Sequence, residues 1–224
     1  MLIAKPTKFG SGIEIFGDYH DFRELHDFLH KASENDVIPY KFQEFMLGLA
    51  YEVRKAFEGQ RQVKDYGRDF PTWKFEEKIL YVGFKYEWIS FLVTMRILRW
   101  SAAFRPTTLL DQSLLFKLED LTVKSLTTYS KEIGEKIWNQ LIHLDIFQEN
   151  YALQWIEESS GKFLSAPNGK KRFAMIPKIL FDLTVFSNDY QSFYHILKQS
   201  AEAQNCSIDN LRVTEVEENI NFKW

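Results

Sequence analysis

The chain has 224 residues and a mass of 26.6 kDa, a length that suits one large domain or two small ones because domains commonly hold about 100–200 residues. Apolar residues make up 45% and charged residues 26%, which excludes an intrinsically disordered or fibrous chain. The 28 basic and 31 acidic residues give a formal net charge of −3, which argues against a dedicated DNA-binding domain. The single cysteine, Cys206, excludes an internal disulfide and a thiolate cluster for structural zinc.

The start of the chain and its most apolar stretch argue against export and against membrane insertion. Lys5, Pro6 and Lys8 interrupt the segment in which a secretory signal needs an unbroken apolar core. The longest uncharged run of the apolar stretch, residues 88–95, ends at Arg96, whereas a membrane-spanning helix needs about 20 predominantly apolar residues. We therefore expect a cytoplasmic protein without membrane association.

The first residues predict a β-hairpin. Residues 2–9 predict a strand that Pro6 interrupts, and proline suits an edge strand because it cannot donate to the hydrogen-bond ladder. Residues 10–12 (Gly-Ser-Gly) predict a turn, and residues 13–16 (Ile-Glu-Ile-Phe) predict the second strand.

Two amphipathic helices are predicted next. Asp18 is a favourable N-cap residue with Asp21 in the first turn of the first helix. Pro39 begins the second helix, and Gly59 is its C-terminal stop. The apolar stripes of the two helices are Phe22, Leu25 and Leu29, then Phe42, Phe45, Met46, Leu49, Val53 and Phe57.

A strand and a buried helix follow. Residues 60–74 are polar and predict a loop or an irregular strand, whereas residues 78–86 predict a strand that joins the hairpin. Residues 87–104 predict a buried helix. Pro106 ends it, because the residue before a proline is disfavoured in helical conformation.

The remainder of the chain predicts mainly helices. Thr108 and Asp111 have the spacing of a capping box. Ser130 and Asn150 are further N-cap candidates, and the helix after Asn150 is predicted to end near Gly161. Residues 167–169 (Pro-Asn-Gly) predict a turn, and two more helices are expected over residues 176–186 and 189–204.

We predict an α+β fold in which a small antiparallel sheet from the N-terminal third packs against six to eight helices. Leu211 and Val213 share one alternation phase, which indicates a C-terminal strand ending near Glu215 that could join this sheet. No fixed-period repeat is present. Residues 1–224 are predicted to form one domain, with a sub-boundary near residues 105–107.

Residues 12–30 resemble the opening of an uncharacterised bacterial protein family, in which a short strand runs into a Gly-Asp cap and an amphipathic helix. Residues 45–59 are similar to that family as well, and so is the strand-then-helix run that ends in Trp88. The resemblance covers residues 1–104 and implies a bacterial cytoplasmic protein. It assigns no catalytic residue.

Three of the five histidines, His20, His26 and His30, lie on the first predicted helix. His26 and His30 are four residues apart, a spacing that lets two imidazoles reach one metal ion. No glutamate lies between them as in the zinc-protease motif, and a third ligand would have to come from His143, His195 or a distant carboxylate. We therefore favour a histidine pair at the solvent border of the helix and predict neither a metal site nor a cofactor site.

Other reactive residues show no catalytic pattern. Asp18, Asp21, Glu24 and Asp27 occur every third residue and spiral around a helix, so they are predicted to be solvated surface rather than paired acids. Cys206 would need a histidine base brought near by the fold, and His195 is the nearest in sequence. We favour a free thiol without a role.

Basic residues offer two further candidates. The basic run at residues 170–172 follows a turn and could hold a phosphate, although no phosphate-binding glycine motif is present and a solvated turn is the simpler interpretation. Arg96, Arg99 and Arg105 interrupt an apolar helix. Salt bridges to the body of the protein are the favoured interpretation, since a buried arginine needs a partner.

The last residues of the chain carry apolar side chains where disorder is the usual expectation. Ile220, Phe222 and Trp224 would either pack back onto the domain or dock onto another subunit. The first functional hypothesis is therefore a non-catalytic protein-interaction or oligomerising module, for which these three residues are the candidate interface.

The alternative hypothesis is a small-molecule-binding protein or an enzyme with an aromatic-lined pocket between sheet and helices. Aromatic residues make up 16% of the chain, and they could line such a pocket. The expected partners are thus another protein chain or a small molecule, and no nucleic acid.

Overall fold

The chain begins with a four-stranded antiparallel sheet. The computed structural model describes residues 1–34, 36–65, 80–145, 152–184, 186–211 and 223–224. The strands are β1 (Ile3–Pro6), β2 (Gly12–Gly17), β3 (Gln62–Asp65) and β4 (Leu80–Glu87). They lie in the order β1-β2-β4-β3, so the sheet comes from the N-terminal part of the chain, as predicted.

The predicted hairpin is confirmed. Ile3 lies opposite Phe16 and Pro6 opposite Ile13, and Pro6 is on the edge strand, where its missing N–H breaks no ladder. The predicted strand at residues 78–86 is β4, which pairs with β2 on one side and β3 on the other.

Eight helices of seven or more residues surround this sheet within the described ranges, together with the single turn α7. The helices are α1 (Tyr19–Ser33), α2 (Tyr40–Phe57), α3 (Trp88–Ala103), α4 (Leu109–Tyr129), α5 (Lys131–His143), α6 (Ala152–Ser165), α7 (Lys170–Phe173), α8 (Ile176–Asp182) and α9 (Asn188–Gln204), followed by a 3₁₀ turn at Ile208–Asn210. The predicted α+β architecture is confirmed. Among the described residues, no helix combines the length and the apolar composition needed to cross a bilayer.

Helix α3 is the centre of the packing. It is apolar on almost every face, and most of its side chains are buried, from Trp88 to Ser101. It contacts β2 and β4 of the sheet and the helices α1, α2, α4, α5 and α6. One apolar core extends from Leu2 to Leu197 and crosses residues 105–107, where a sub-boundary is predicted.

Two of the helices begin with side-chain caps at the predicted residues. Asp18 and Asp21 form a reciprocal capping box at α1, and Thr108 and Asp111 form another at α4. Ser130 occupies the N-cap position of α5, but its side chain makes no capping hydrogen bond.

Two predicted helix ends are wrong, and two predictions lie outside the described residues. α6 continues through Gly161 to Ser165, because a glycine stops a helix when its backbone turns left-handed and Gly161 is not among the residues with positive φ. α8 ends at Asp182 rather than near residue 186, since Ser187 needs an extended backbone to cap α9. Asn150 and the C-terminal strand near residues 211–215 fall in or beside undescribed segments.

Candidate functional site

A cleft of about 840 Å³ lies between α2, the junction of β4 with α3, and α6. The first turns of α2 form one wall, on which four successive cleft residues share a helix face. Tyr40 and Glu44 are exposed at the mouth of the cleft, and Lys41 and Phe45 are half-buried. This wall begins at Tyr40, because α2 starts directly after Pro39.

Tyr86 and Ser90 form the second wall. The Tyr86 side chain lies against α2 at Gly48, where a Cβ atom would be 3.2 Å from the Tyr86 hydroxyl oxygen. Burial raises the pKa of Tyr86, and the carboxylates of Glu87 and Glu52 raise this pKa further. The phenol is therefore protonated at neutral pH and available for hydrogen bonding.

Helix α6 supplies the third wall through Leu153, Gln154 and Glu157. Gln154 is only 6% exposed, and its amide nitrogen lies 3.5 Å from the carbonyl oxygen of Ile208. Its oxygen Oε1 is buried and accepts no hydrogen bond from the described residues. A buried acceptor without a donor is destabilising by about 1–3 kcal/mol, so this oxygen is suited to receive a donor from a ligand.

The mouth of the cleft is acidic. Burial raises the pKa of Glu157, the neighbouring carboxylate of Glu44 raises it further, and Lys41 opposes both effects. After burial, the effect of Glu44 is larger than the opposing effect of Lys41, so Lys41 does not fully offset the neighbouring carboxylate. A cationic group bound here would relieve their repulsion.

Glu87 caps the helix that carries the second wall. Its carboxylate accepts hydrogen bonds from the backbone N–H groups of Ile89, at 2.6 Å, and Ser90, at 2.8 Å. Burial raises the pKa of Glu87 to about 7, against the opposing effects of these hydrogen bonds and of the Arg172 guanidinium. This carboxyl group consequently titrates near neutral pH.

The solvated-turn interpretation of residues 170–172 is wrong for Arg172, which is only 1% exposed. Its Nη2 donates to the carbonyl oxygens of Leu164, at 2.6 Å, and Ala166, at 2.7 Å, and its Nη1 donates to Ser11 Oγ at 2.7 Å. Arg172 thus ties the end of α6 to the turn of the hairpin. Its two basic neighbours are exposed, as expected.

The structure brings His26 and His30 together but adds no third histidine to them. Their Nε2 atoms are 3.1 Å apart, with His26 half-buried and His30 exposed. No group of three or more histidine, cysteine, aspartate or glutamate side chains in the described ranges could hold a metal ion. His143 and His195 are exposed on α5 and α9.

The three arginines predicted to interrupt the buried helix have different partners, and Arg105 lies after the end of α3. Arg99 makes a two-point salt bridge to Glu119, as predicted. Arg96 donates to the carbonyl oxygen of Leu144 at 2.5 Å, and the carboxylate of Asp145 favours its charged form. Arg105 lies over the ring of Phe28 at 5.8 Å. Arg96 and Arg99 also line a smaller cavity of about 340 Å³.

The other predicted candidates are scattered. Cys206 follows the end of α9 and is half-buried. His195 lies on α9 about 13 Å along the helix axis before the helix ends at Gln204, and no contact within the described ranges joins it to Cys206 as a nucleophile–base pair. Ile220 and Phe222 lie outside the described residues. The Trp224 ring lies against Gly12, 3.0 Å from the position that a Cβ atom there would occupy.

An exposed apolar surface, here called the α3–α4 surface, lies where these two helices meet. It comprises Phe104, Leu109, Leu110 and Phe116. Leu109 is 91% exposed and Phe116 is 57% exposed, and their spacing of seven residues places them on one face of α4. A group of exposed apolar side chains on neighbouring segments favours an interaction site over the isolated exposed side chains that are normal on a protein surface.

Sequence reasoning missed the residues of the cleft. Tyr86, Gln154 and Glu157 belong to segments separated by more than 60 positions in the chain, and no spacing pattern links them. A local signal existed only for Glu87, a carboxylate at the first position of a predicted helix, which is a favourable position for interaction with the helix dipole.

The model of a family described as a domain of unknown function, DUF6904, matches residues 2–224. No curated protein matches the chain, and no solved structure does.

Proposed function

Since this chain belongs to the DUF6904 family, a domain of unknown function, we propose from the geometry of its cleft that it is a small-molecule-binding protein whose ligand is an organic amine. The single observation that carries the proposal is the convergence of hydrogen-bond acceptors and aromatic rings on one cleft. A volume of about 840 Å³ lies within the range of about 300–1,000 Å³ that is usual for ligand sites.

The acceptors favour a ligand that donates hydrogen bonds. Gln154 offers a buried carbonyl oxygen that accepts from no described residue, and Glu44 and Glu157 offer carboxylates at the mouth. An ammonium group has three donors and no acceptor, so it complements this set of groups. A ligand carboxylate or phosphate would add to the negative charge.

The aromatic rings favour the same class of ligand. Tyr40, Phe45 and Tyr86 border the cleft from two sides. An aromatic face attracts a cation within about 6 Å of its centre, and it also packs against the apolar part of an amine. Lys41 limits how much positive charge the cleft accepts, which favours one ammonium group over a polyamine.

A matched pair of ligands tests the charge requirement. We expect 2-phenylethylamine to bind the full chain and to cause saturable NMR shifts at Tyr86 and Gln154, because its ammonium group meets the acceptors of the cleft. The uncharged analogue 2-phenylethanol should bind at least about fivefold more weakly. Equal affinities for the two compounds would contradict the proposal.

A matched pair of variants tests the location. Glu157→Gln should weaken 2-phenylethylamine binding about 3–10-fold, as loss of a partly exposed charge interaction does. Glu158→Gln removes the same charge from the next position of α6, where the carboxylate pairs with Lys162, and should leave the affinity unchanged. Equal effects of the two substitutions would place the amine elsewhere.

The α3–α4 surface supports a second candidate function, a protein-interaction module that self-associates as a homodimer. We expect Leu109→Asp combined with Phe116→Asp to lower the mass measured by native mass spectrometry from that of a dimer to that of a monomer. Phe186→Asp changes a residue that is 87% exposed outside this surface and serves as the control. A wild-type monomer at micromolar concentration would contradict this candidate.

A bacterial cytoplasmic setting is also part of the proposal. It is supported by the resemblance of residues 1–104 to a bacterial family and by the low cysteine content, which suits a reducing compartment. Neither candidate function depends on it.

A further inference from the structure

A second site of a different kind lies on α1, where two histidine side chains face each other. The Nε2 atoms of His26 and His30 are 3.1 Å apart. The ring centres are 4.4 Å apart and the ring planes are inclined by 51°. The rings therefore lie obliquely side by side, and two nitrogen atoms that can act as metal ligands come close together at the helix surface.

The separation of these nitrogen atoms suits a shared metal ion. With metal–nitrogen bonds of about 2.0–2.1 Å, a 3.1 Å separation corresponds to a nitrogen–metal–nitrogen angle of about 100°. This value lies between the angles of about 90° and about 109° found in octahedral and tetrahedral coordination. The helical spacing of four residues thus gives a nitrogen–metal–nitrogen angle that transition-metal ions accept.

Neighbouring side chains hold His26 in position. The ring of Phe57, from α2, makes an edge contact with the His26 ring at 5.8 Å, and the Tyr19 ring makes an edge contact with Phe57 at 5.7 Å. Asp27 Oδ1 lies 3.7 Å from His26 Nδ1. A carboxylate near Nδ1 favours the tautomer that carries its proton there and leaves Nε2 free to bind a metal.

We propose that His26 and His30 form a two-histidine site for a divalent first-row transition-metal ion of the class that prefers imidazole, such as Zn²⁺ or Ni²⁺. The described residues supply no third ligand, so water completes the coordination. Arg23, whose positive charge also acts on His26, weakens the site. The exposed position of His30 leaves the site open to an exchangeable ion.

Calorimetric titration of the untagged full chain with ZnCl₂ and with NiCl₂ tests this site. We expect one ion per chain, and His30→Asn should weaken binding at least about tenfold because it converts a chelate into a single contact. His30 is exposed, so the substitution should leave the fold intact. His20→Asn, an exposed histidine on the same helix, is the matched control and should bind the ion as the wild type does.

Thermal unfolding gives an independent readout. Zn²⁺ should raise the melting temperature of the wild type and of His20→Asn but not that of His30→Asn, since an ion that binds only the folded helix stabilises it by mass action. The proposal is overturned if the wild type binds no ion at millimolar concentration. It is equally overturned if His30→Asn keeps the wild-type affinity, which would identify adventitious binding elsewhere and leave the pair as a hydrogen bond only.

Discussion

Two opposing effects set the pKa of the Glu87 carboxyl group. Its carboxylate satisfies two backbone N–H groups at the start of α3, which favours the ionised form. Burial has the larger effect and raises its pKa to about 7. The folded chain therefore holds this proton more tightly than the unfolded chain, whose glutamate has an ordinary pKa of 4.5.

We expect the contribution of Glu87 to stability to fall as the pH rises. Between pH 4.5 and about 7 the unfolded chain has lost the proton while the folded chain keeps it, so the free energy of unfolding decreases by up to about 3 kcal/mol and then levels off. Glu87→Gln cannot ionise and should lack this decrease. Urea unfolding of both proteins at pH 4.5 and pH 8 measures the difference.

The control for this experiment is Glu202→Gln, which changes an exposed carboxylate on α9. It should keep the pH dependence of the wild type. If Glu87→Gln also keeps that dependence, then Glu87 does not titrate in this range in the folded protein.

Arg172 is a buried cation whose hydrogen bonds should contribute strongly to the stability of the fold. We expect Arg172→Met to lower the free energy of unfolding by about 3 kcal/mol, because it leaves the carbonyl oxygens of Leu164 and Ala166 without their donor. Lys171→Met changes the exposed neighbour and should alter stability by less than about 0.5 kcal/mol. Denaturant unfolding compares the two, and similar losses would refute a special role for Arg172.

At the scale of elements, two helical glycines have opposite expected effects. A Cβ atom on Gly134 of α5 would lie 2.6 Å from the backbone of Leu126 in α4, whereas Gly161 of α6 has nothing within 4 Å. Gly134→Ala should therefore be destabilising by about 1–3 kcal/mol. Gly161→Ala should be stabilising by about 0.5–1 kcal/mol, since alanine is the better helix former.

Thermal or urea unfolding of the two variants measures both effects. If Gly134→Ala leaves the free energy of unfolding unchanged, then α5 shifts away from α4 with little loss of stability. The close contact is what lets α5 follow α4 after a single connecting residue, Ser130, so we also expect this variant to loosen the packing of Ile137.

Most element predictions succeeded where the signal was local. The capping boxes at Asp18 and Thr108 could be predicted because each joins residues only three positions apart. The end of α6 could not, since Gly161 ends a helix only if the following chain turns away, and that depends on packing. Ser130 shows the same limit, because it is at the N-cap position without using its side chain.

In the molecule as a whole, the last two residues of the chain contact the turn of the N-terminal hairpin. Ser11 Oγ donates to the carbonyl oxygen of Lys223 at 2.6 Å, and the Trp224 ring lies on Gly12. We expect Trp224→Ala to lower the free energy of unfolding by about 1–2 kcal/mol through lost apolar burial. Urea unfolding measures this loss.

Native mass spectrometry of the same variant separates packing within one chain from contact between two chains. An unchanged mass with reduced stability would mean that Trp224 packs only on its own domain. A reduced mass with unchanged stability would instead support the predicted interface at Ile220, Phe222 and Trp224.

The α+β class, the hairpin, the capped helices and the central apolar helix could all be predicted from the sequence, because each depends on patterns within a few neighbouring residues. The burial of Arg172 beside Ser11 and the cleft that Tyr86 and Glu157 both line are evident from the folded chain alone. Such contacts join residues more than 60 positions apart. Their burial and electrostatics arise from the packing of α2 and α6 against α3 and from the contact of Arg172 with the hairpin turn, which no local pattern encodes.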